Sequence, residues 1–360
     1  MRTSAPMPTA VVLFNLGGPD DLDSVEPFLV KLFSDREIIE LPLGASLQPV
    51  MARVIARLRG PSVRRNYERI GGGSPQLRLT LGQAVALEER LNVGAGDTQP
   101  YRVFIAMRYS RPSAEEALRA IARTGIRRIV ALTLFPHYSK ATTGSSLGEF
   151  TRVLARPDWR RFGFEVSHID RYPDDPKYLD AMAATVRSAW ERIPSGRRES
   201  TVILFSAHGL PQRFIDQGDP YVAHIESTRR GILDRLSLGN RQLLAYQSRT
   251  GPVKWIGPGT EETLVALGRE GVKDVLVVPL SFVSDHIETL YEVDLLFAEA
   301  ARSAGITGYY RPEALNSHPL FIDALASLVS AHVRLCAGRC CGCQSNVEKF
   351  PLPVFAGASL

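Results

Sequence analysis

Short apolar runs alternate with longer stretches of helical periodicity along this chain, a pattern that predicts parallel strands joined by crossover helices. Strands are expected at Val11–Leu16, Val103–Met107, Arg128–Phe135, Val202–Ser206, Gln242–Tyr246 and Asp274–Phe282. Most of them are apolar without alternation, as strands are when both faces are buried. Helical periodicity covers Ala114–Arg123, Pro176–Ile193, Pro220–Leu236, Glu261–Glu270, Ile287–Ser303 and His318–Leu335. The expected fold class is therefore α/β.

The two halves of the chain echo each other. VVLFNLGGP at Val11–Pro19 is similar to VILFSAHGLP at Val202–Pro211, and IVALTLFPHY at Ile129–Tyr138 is similar to VLVVPLSF at Val275–Phe282. Each segment is a strand running into a polar or Gly-Pro turn. Two such pairs in the same order predict two similar α/β units, with the boundary between Asp170 and Thr201. Ligands in open α/β sheets bind beyond the carboxyl ends of the strands, so those ends are where chemistry is to be sought.

Composition narrows the class. The 360 residues suit two domains. With 44% hydrophobic and 22% charged residues the chain is of globular type, which excludes disorder, collagen and coiled coil. A net charge of +5 suits an anionic membrane surface or an anionic ligand without choosing between them, and it gives no ground for a nucleic-acid partner. No run approaches the roughly 18 uninterrupted apolar residues of a membrane span, and Met1–Thr9 lacks the apolar region of a secretory signal, so a cytoplasmic location is expected. All four cysteines, Cys336, Cys340, Cys341 and Cys343, fall in one short stretch. A disulfide framework would spread them, so the cluster reads as a metal site.

Three strand ends carry unusual polar content: Ser206–Pro211, Arg108–Pro112 and Ser284–Glu288. His208 follows an apolar strand and precedes Gly209 and Pro211, which places its ring at a tight turn on the sheet edge, as a structural or a reactive histidine. Asp285 is placed to cap the next helix, with His286 in its first turn. Glu288 and Glu292 stand four residues apart, a like-charge spacing that costs a helix some stability; it points to a bound cation or a proton path, or else to a solvated acidic face. Imidazole and carboxylate together suit Fe(II) or Zn(II), and both accept protons near neutrality. There is no HExxH, Walker loop or GxSxG. Gly257–Thr260 lacks the third glycine of a dinucleotide fingerprint and is expected to be a turn with Thr260 as a helix cap. Gly71–Pro75 and Thr142–Ser146 are candidate anion nests or plain loops, and Arg57, Arg59, Arg64 and Arg65 are candidate carboxylate partners or a solvated basic face.

With these residues the sequence resembles the ferrochelatase family, enzymes that insert Fe(II) into a porphyrin. The resemblance is carried by NLGGP at Asn15–Pro19, YERIGGGSP at Tyr67–Pro75, MRY at Met107–Tyr109, TTGSS at Thr142–Ser146, FSAHGLP at Phe205–Pro211, GDPY at Gly218–Tyr221, QS at Gln247–Ser248 and SDHIETLYE at Ser284–Glu292. It implies two Rossmann-like domains with a porphyrin cleft between them, here residues 1–175 and 176–330, followed by a cysteine-rich tail over 331–360. It implies that His208 accepts pyrrole protons, and that Glu288, assisted by His286, Asp285 and Glu292, handles metal or protons on the other face of the ring. Arg108 and Tyr109 would line the cleft, and Ser74 with Arg59 would hold propionates. Residues 38–58 resemble an apolar lip that touches the membrane, through Leu41, Leu43, Leu47, Val50, Met51 and Val54, or an ordinary amphipathic helix packed on the core.

The tail departs from the family pattern. Relatives with a cluster take one cysteine from the segment that reads Tyr138–Lys140 here, and Lys140 cannot serve. The four tail cysteines are enough for a [2Fe-2S] cluster, with tetrahedral zinc or a reduced thiol patch as the alternatives. His332, four residues before Cys336, is a structural histidine or a replacement for one thiolate, and His137, two residues after Phe135, is a lip residue or an accessory ligand. The resemblance implies Fe(II) and protoporphyrin IX as substrates, with coproporphyrin or a non-catalytic porphyrin or metal carrier as rival readings. The expected protein is a monomer or homodimer without nucleic acid, cytoplasmic and on the inner face of the membrane.

Overall fold

The computed structural model describes residues 7–39, 44–95, 100–249 and 253–337. Among them, eight strands form two four-stranded sheets. The first holds β1 (Thr9–Asn15), β2 (Tyr101–Met107), β3 (Arg128–Thr133) and β4 (Glu165–Ile169), in the order β2-β1-β3-β4. The second holds β5 (Val202–His208), β6 (Gln242–Gln247), β7 (Asp274–Pro279) and β8 (Gly308–Tyr310), in the order β6-β5-β7-β8. Every pairing is parallel. The sequence echo is thus an echo of topology: β1 and β5 occupy equivalent interior places, and each is flanked by the next two strands of its own half.

Alternate residues of each interior strand face different cores. Val11 and Leu13 of β1 point into the same cluster as Ile203 and Phe205 of β5 and Leu276 and Val278 of β7. Ala10, Val12 and Phe14 face a separate core beside the first sheet, and Val202 and Leu204 face one beside the second. One apolar core therefore runs continuously between the two sheets. It is completed by Tyr178 of the helix Pro176–Glu191, Ile225 of Tyr221–Leu236 and Phe321 of Pro319–Ala337.

The strands unexpected from sequence are β4 and β8, both at sheet edges. An edge strand buries little, so Glu165–Ile169 interleaves polar and apolar residues and is mostly exposed or half-buried. β7 stops at Pro279, short of the expected Phe282. Pro279 has no N–H to give the ladder, and after Leu280 N donates to Ser206 O at 3.0 Å the chain leaves the sheet. Helices over Val25–Ser34, Gln76–Leu91 and Ser145–Leu154 were also unexpected, while Gln48–Glu68 takes up the helical alternative for residues 38–58 from Gln48 onward and runs on past Leu58. Gln48–Glu68 contains Gly60 and Pro61, residues that ordinarily end a helix, and its apolar positions are few.

Among the described residues, Pro319–Cys336 is long and apolar enough to cross a membrane by length and composition. Its Phe321, Leu325 and Val329 are fully buried in the shared core, against the helices Gln76–Leu91 and Pro176–Glu191, which is the place of a core helix.

Candidate active site

β5 ends on His208, and its sheet partner Gln247 ends β6. The imidazole lies edge-on to Phe282, with ring centroids 5.7 Å apart, and Phe282 in turn meets the His286 ring at 4.0 Å. His208 Nδ1 is buried without a hydrogen-bond partner. Burial lowers the His208 pKa, outweighing the opposite pull of Glu288, which favours the neutral ring with one N–H and one lone pair.

The segment after β7 supplies the other groups. Asp285 does not cap a helix, because the following helix begins at Glu288 with Ile287 before it and no side-chain cap. The Asp285 carboxylate turns away to accept from Asn316 Nδ2 at 2.9 Å and faces Arg311 Nη1 at 3.5 Å. His286 is buried; its Nδ1 stands 3.0 Å from Ser284 O, which fixes the ring. Its Nε2 lies 3.0 Å from Glu288 Oε2, an ion-pair contact without hydrogen-bond alignment. Burial opposes both charges, yet each stabilises the other: the His286 pKa is raised and Glu288 is held down at about 2.

Glu288–Phe297 winds as a π-helix, a rare form that gathers at functional sites. One turn on from Glu288, Glu292 accepts from Ser248 Oγ at 2.5 Å. Burial, with the Glu288 charge beside it, pushes Glu292 up to about 7. The two carboxylates thus differ in charge state at neutral pH: Glu288 is ionised and Glu292 is close to half protonated. Two groups unassigned from sequence join them. Ser248 lies just past β6 with a positive φ of 64°, and the buried Tyr67 phenol is pushed up by burial and by the Glu288 charge. Both sit inside motifs quoted above, QS and YERIGGGSP, so their signal was position within a motif.

Arg108 and Tyr109, just past β2, meet a carboxylate that the sequence did not single out. Asp35 Oδ2 accepts from Arg108 Nη2 at 2.7 Å, Tyr109 Oη at 2.6 Å and Ser145 Oγ at 2.5 Å. Tyr109 is 1% exposed, and Arg108 lies over its ring at 5.0 Å. Burial opposes the Asp35 charge, but Arg108 and the two hydroxyl donors lower its pKa. Ser74 is half-buried with its main-chain N donating to Pro19 O, beside Gly18; a Cβ on Gly18 would lie 2.5 Å from Ser74. Arg59 is exposed on the helix Gln48–Glu68, over the Phe33 ring. The structure therefore gathers His208, His286, Glu288 and Glu292, and directs Asp285 and Arg59 to other partners.

The family model for ferrochelatase matches residues 8–333. The chain belongs to the ferrochelatase family. The ferrochelatase of Geotalea uraniireducens (strain Rf4) is 51% identical over 324 residues, 90% of this chain and 98% of its own length. That of Rippkaea orientalis (strain PCC 8801 / RF-1) is 46% identical over 322 residues, 89% of this chain and 81% of its own length. Among solved structures, SirB from Bacillus subtilis with Fe3+ has a TM-score of 0.52 at 12% identity, covering 92% of this chain and 98% of its own; it shares the fold. The ferrochelatase chemistry, insertion of iron into a porphyrin in haem synthesis, is the reaction for which the gathered groups must account.

The family match stops before the tail cysteines. Cys336 lies near the end of the helix Pro319–Ala337, its Sγ 3.7 Å from His332 Nε2. Cys340, Cys341 and Cys343, and with them Leu41 and Leu43 of the lip, lie outside the described residues. Buried His137, pushed down to about 3 by burial, pairs with Thr228 Oγ1 at 2.9 Å and lies edge-on to the Tyr221 ring at 6.2 Å.

Proposed function

We propose that this enzyme metallates protoporphyrin IX with Fe(II), that His208 takes the pyrrole protons, and that the carboxylate side admits the metal. The observation that carries the reading is the asymmetry of the site: an imidazole at one strand end with its Nδ1 buried and its pKa lowered, and, beyond Phe282, the paired His286 and Glu288 with Glu292 one turn further along the π-helix. Metallation removes two protons from the ring and water from the ion, so it needs a proton acceptor and an anionic relay that are not already neutralising each other. Glu288 and Glu292 present oxygen donors, and His286 holds Glu288 in its charged state. Asp285 belongs to the support of this segment through Arg311 and Asn316. Arg108, held by Asp35 and lying over the buried Tyr109 ring, borders the cleft, with Ser74 as a partner for propionates at its mouth.

Protoporphyrin is favoured by the apolar lip. Leu47, Val50, Val54 and Leu58 fall on one helical stripe and are between 47% and 76% exposed, with Arg53 and Arg57 exposed beside them. An apolar stripe flanked by cations suits an anionic membrane surface, where an apolar substrate dissolves. The deciding experiment is anaerobic incubation with Fe(II) and either porphyrin, with and without anionic vesicles. Faster metallation of protoporphyrin and sedimentation with the vesicles are expected. Preference for coproporphyrin and no sedimentation would reverse the substrate reading, and tight porphyrin binding without turnover would leave a carrier.

The tail is proposed to hold a [2Fe-2S] cluster through Cys336, Cys340, Cys341 and Cys343. Cys336 and His332 are both donor types that iron–sulfur centres accept. Remote in sequence from His208 and Glu288, the cluster would serve structure or iron sensing. Purified protein should carry iron and inorganic sulfide in equal amounts with visible charge-transfer absorbance; colourless protein carrying zinc would sink the assignment.

A further inference from the structure

We propose that Tyr221 and Ser281 are positioning residues for His208, holding its main chain in a closed ring of hydrogen bonds where the β-sheet has ended. The inference rests on the role given to His208 above. β7 pairs with β5 only as far as Ser206 and Pro279. Two residues further on, the N–H and C=O of His208 have no strand on that side. Two hydroxyls replace it. His208 N donates to Ser281 Oγ at 2.6 Å, Tyr221 Oη donates to His208 O at 3.0 Å, and the two hydroxyl oxygens are 2.6 Å apart. Since the Tyr221 proton is given to His208 O, Ser281 must donate to Tyr221. The ring is then complete, with each of its three hydrogens used once.

This matters because nothing else fixes the imidazole by a polar contact at its buried nitrogen. A histidine base is commonly oriented by a partner on Nδ1, and here Nδ1 has none. Phe282 only limits the ring edge-on. The Cα–Cβ direction of His208 follows its backbone angles, and on the β7 side those are held by the hydroxyl ring. Tyr221 and Ser281 are buried, so both hydrogen bonds are sheltered from water.

The clamp is also tied to the seam between the halves. Asp219 Oδ1 accepts from Tyr221 N at 3.0 Å, while its Oδ2 accepts from Ser139 Oγ at 3.0 Å and Lys140 N at 2.8 Å. One carboxylate thus locks the start of the helix Tyr221–Leu236 to a loop of the first half. The GDPY segment, which the metallation chemistry does not itself use, gains a purpose: it carries the seam's geometry to the proton acceptor.

Tyr221→Phe and Ser281→Ala each remove one hydroxyl. Either should lower kcat per folded enzyme by about ten- to a hundredfold, the scale of a misplaced reacting group, while KM for porphyrin stays within about twofold. The double variant should be no worse than the weaker single, because the ring fails as a unit. In a His208→Ala background Tyr221→Phe should cost nothing further, a result that loss of general stability would not give. Unchanged kcat in both single variants overturns the positioning role, as does a further loss in the His208→Ala background. If His208→Ala itself keeps full activity, the role of His208 has failed and the positioning role with it, which separates that failure from the first.

Discussion

Glu288→Gln is expected to slow Fe(II) insertion by about 10²–10⁴-fold, the range spanned by groups that handle a proton or stabilise charge at the reacting centre, and His208→Ala by a similar factor. The amide keeps the shape of the side chain and removes its charge. His286 then loses the anion 3.0 Å from its Nε2, and the incoming dication loses the one carboxylate that is ionised at every working pH. Porphyrin binding should change only a few-fold, since neither group meets a propionate in this reading. A pH profile divides the labour further. Burial and the Glu288 charge push Glu292 up to about 7, so its anionic fraction falls as pH drops through that region. Turnover should therefore fall as pH drops through about 7, and Glu292→Gln should remove that limb while lowering the plateau. Full activity in Glu288→Gln, or a pH limb unchanged by Glu292→Gln, would show that the carboxylates on the π-helix have no part in metal or proton handling.

Much of this arrangement was legible in the sequence because the signals are local. The interior strands are apolar on both faces, so β1, β3, β5 and β7 stand out, and their repetition exposes the doubled topology. His208 was found because a polar residue between an apolar strand and a Gly-Leu-Pro turn has one place to go. Glu288 and Glu292 were singled out because like charges four residues apart point to a cation or proton path or else to a solvated face, and the structure sets Glu288 against buried His286 and Glu292 against Ser248. What stayed hidden depends on distant partners. Asp35 sits just past a helix that buries Val25, Leu29 and Phe33 on one face, and its importance comes from Arg108, Tyr109 and Ser145, each far away in sequence. Asp285 looked like a cap because a strand was expected to run to Phe282; the early exit at Pro279 leaves room for a turn, and Asn316 from the far side claims the carboxylate. The hydroxyl ring around His208 has the same character, since Ser281 and Tyr221 meet it only after the sheet has ended.

Asp35 also supports the largest expected stability effect. Its Oδ2 takes three donors, one of them a guanidinium, and its Oδ1 accepts from Glu37 N at 2.9 Å. Asp35→Ala leaves Arg108 as a charge that is mostly buried and without its counterion, and breaking one side of such a pair costs about 3–5 kcal/mol. Asp35→Asn keeps the volume but loses the charge and so should lose much of the same amount. The sign with pH follows from the direction of the shift. Arg108 and the hydroxyls hold the folded Asp35 below its ordinary value, so its contribution is fully present above the unfolded value of about 4 and is lost as pH falls through the lower folded value. Urea unfolding at neutral pH should therefore show a wide gap between the parent and Asp35→Asn, and the gap should close in acid. A gap that ignores pH would mean that shape rather than charge matters at this site. Because the same carboxylate fixes Arg108 and Tyr109 just past β2, and Arg108 is proposed above to border the cleft, a folded Asp35→Asn should also raise KM for porphyrin.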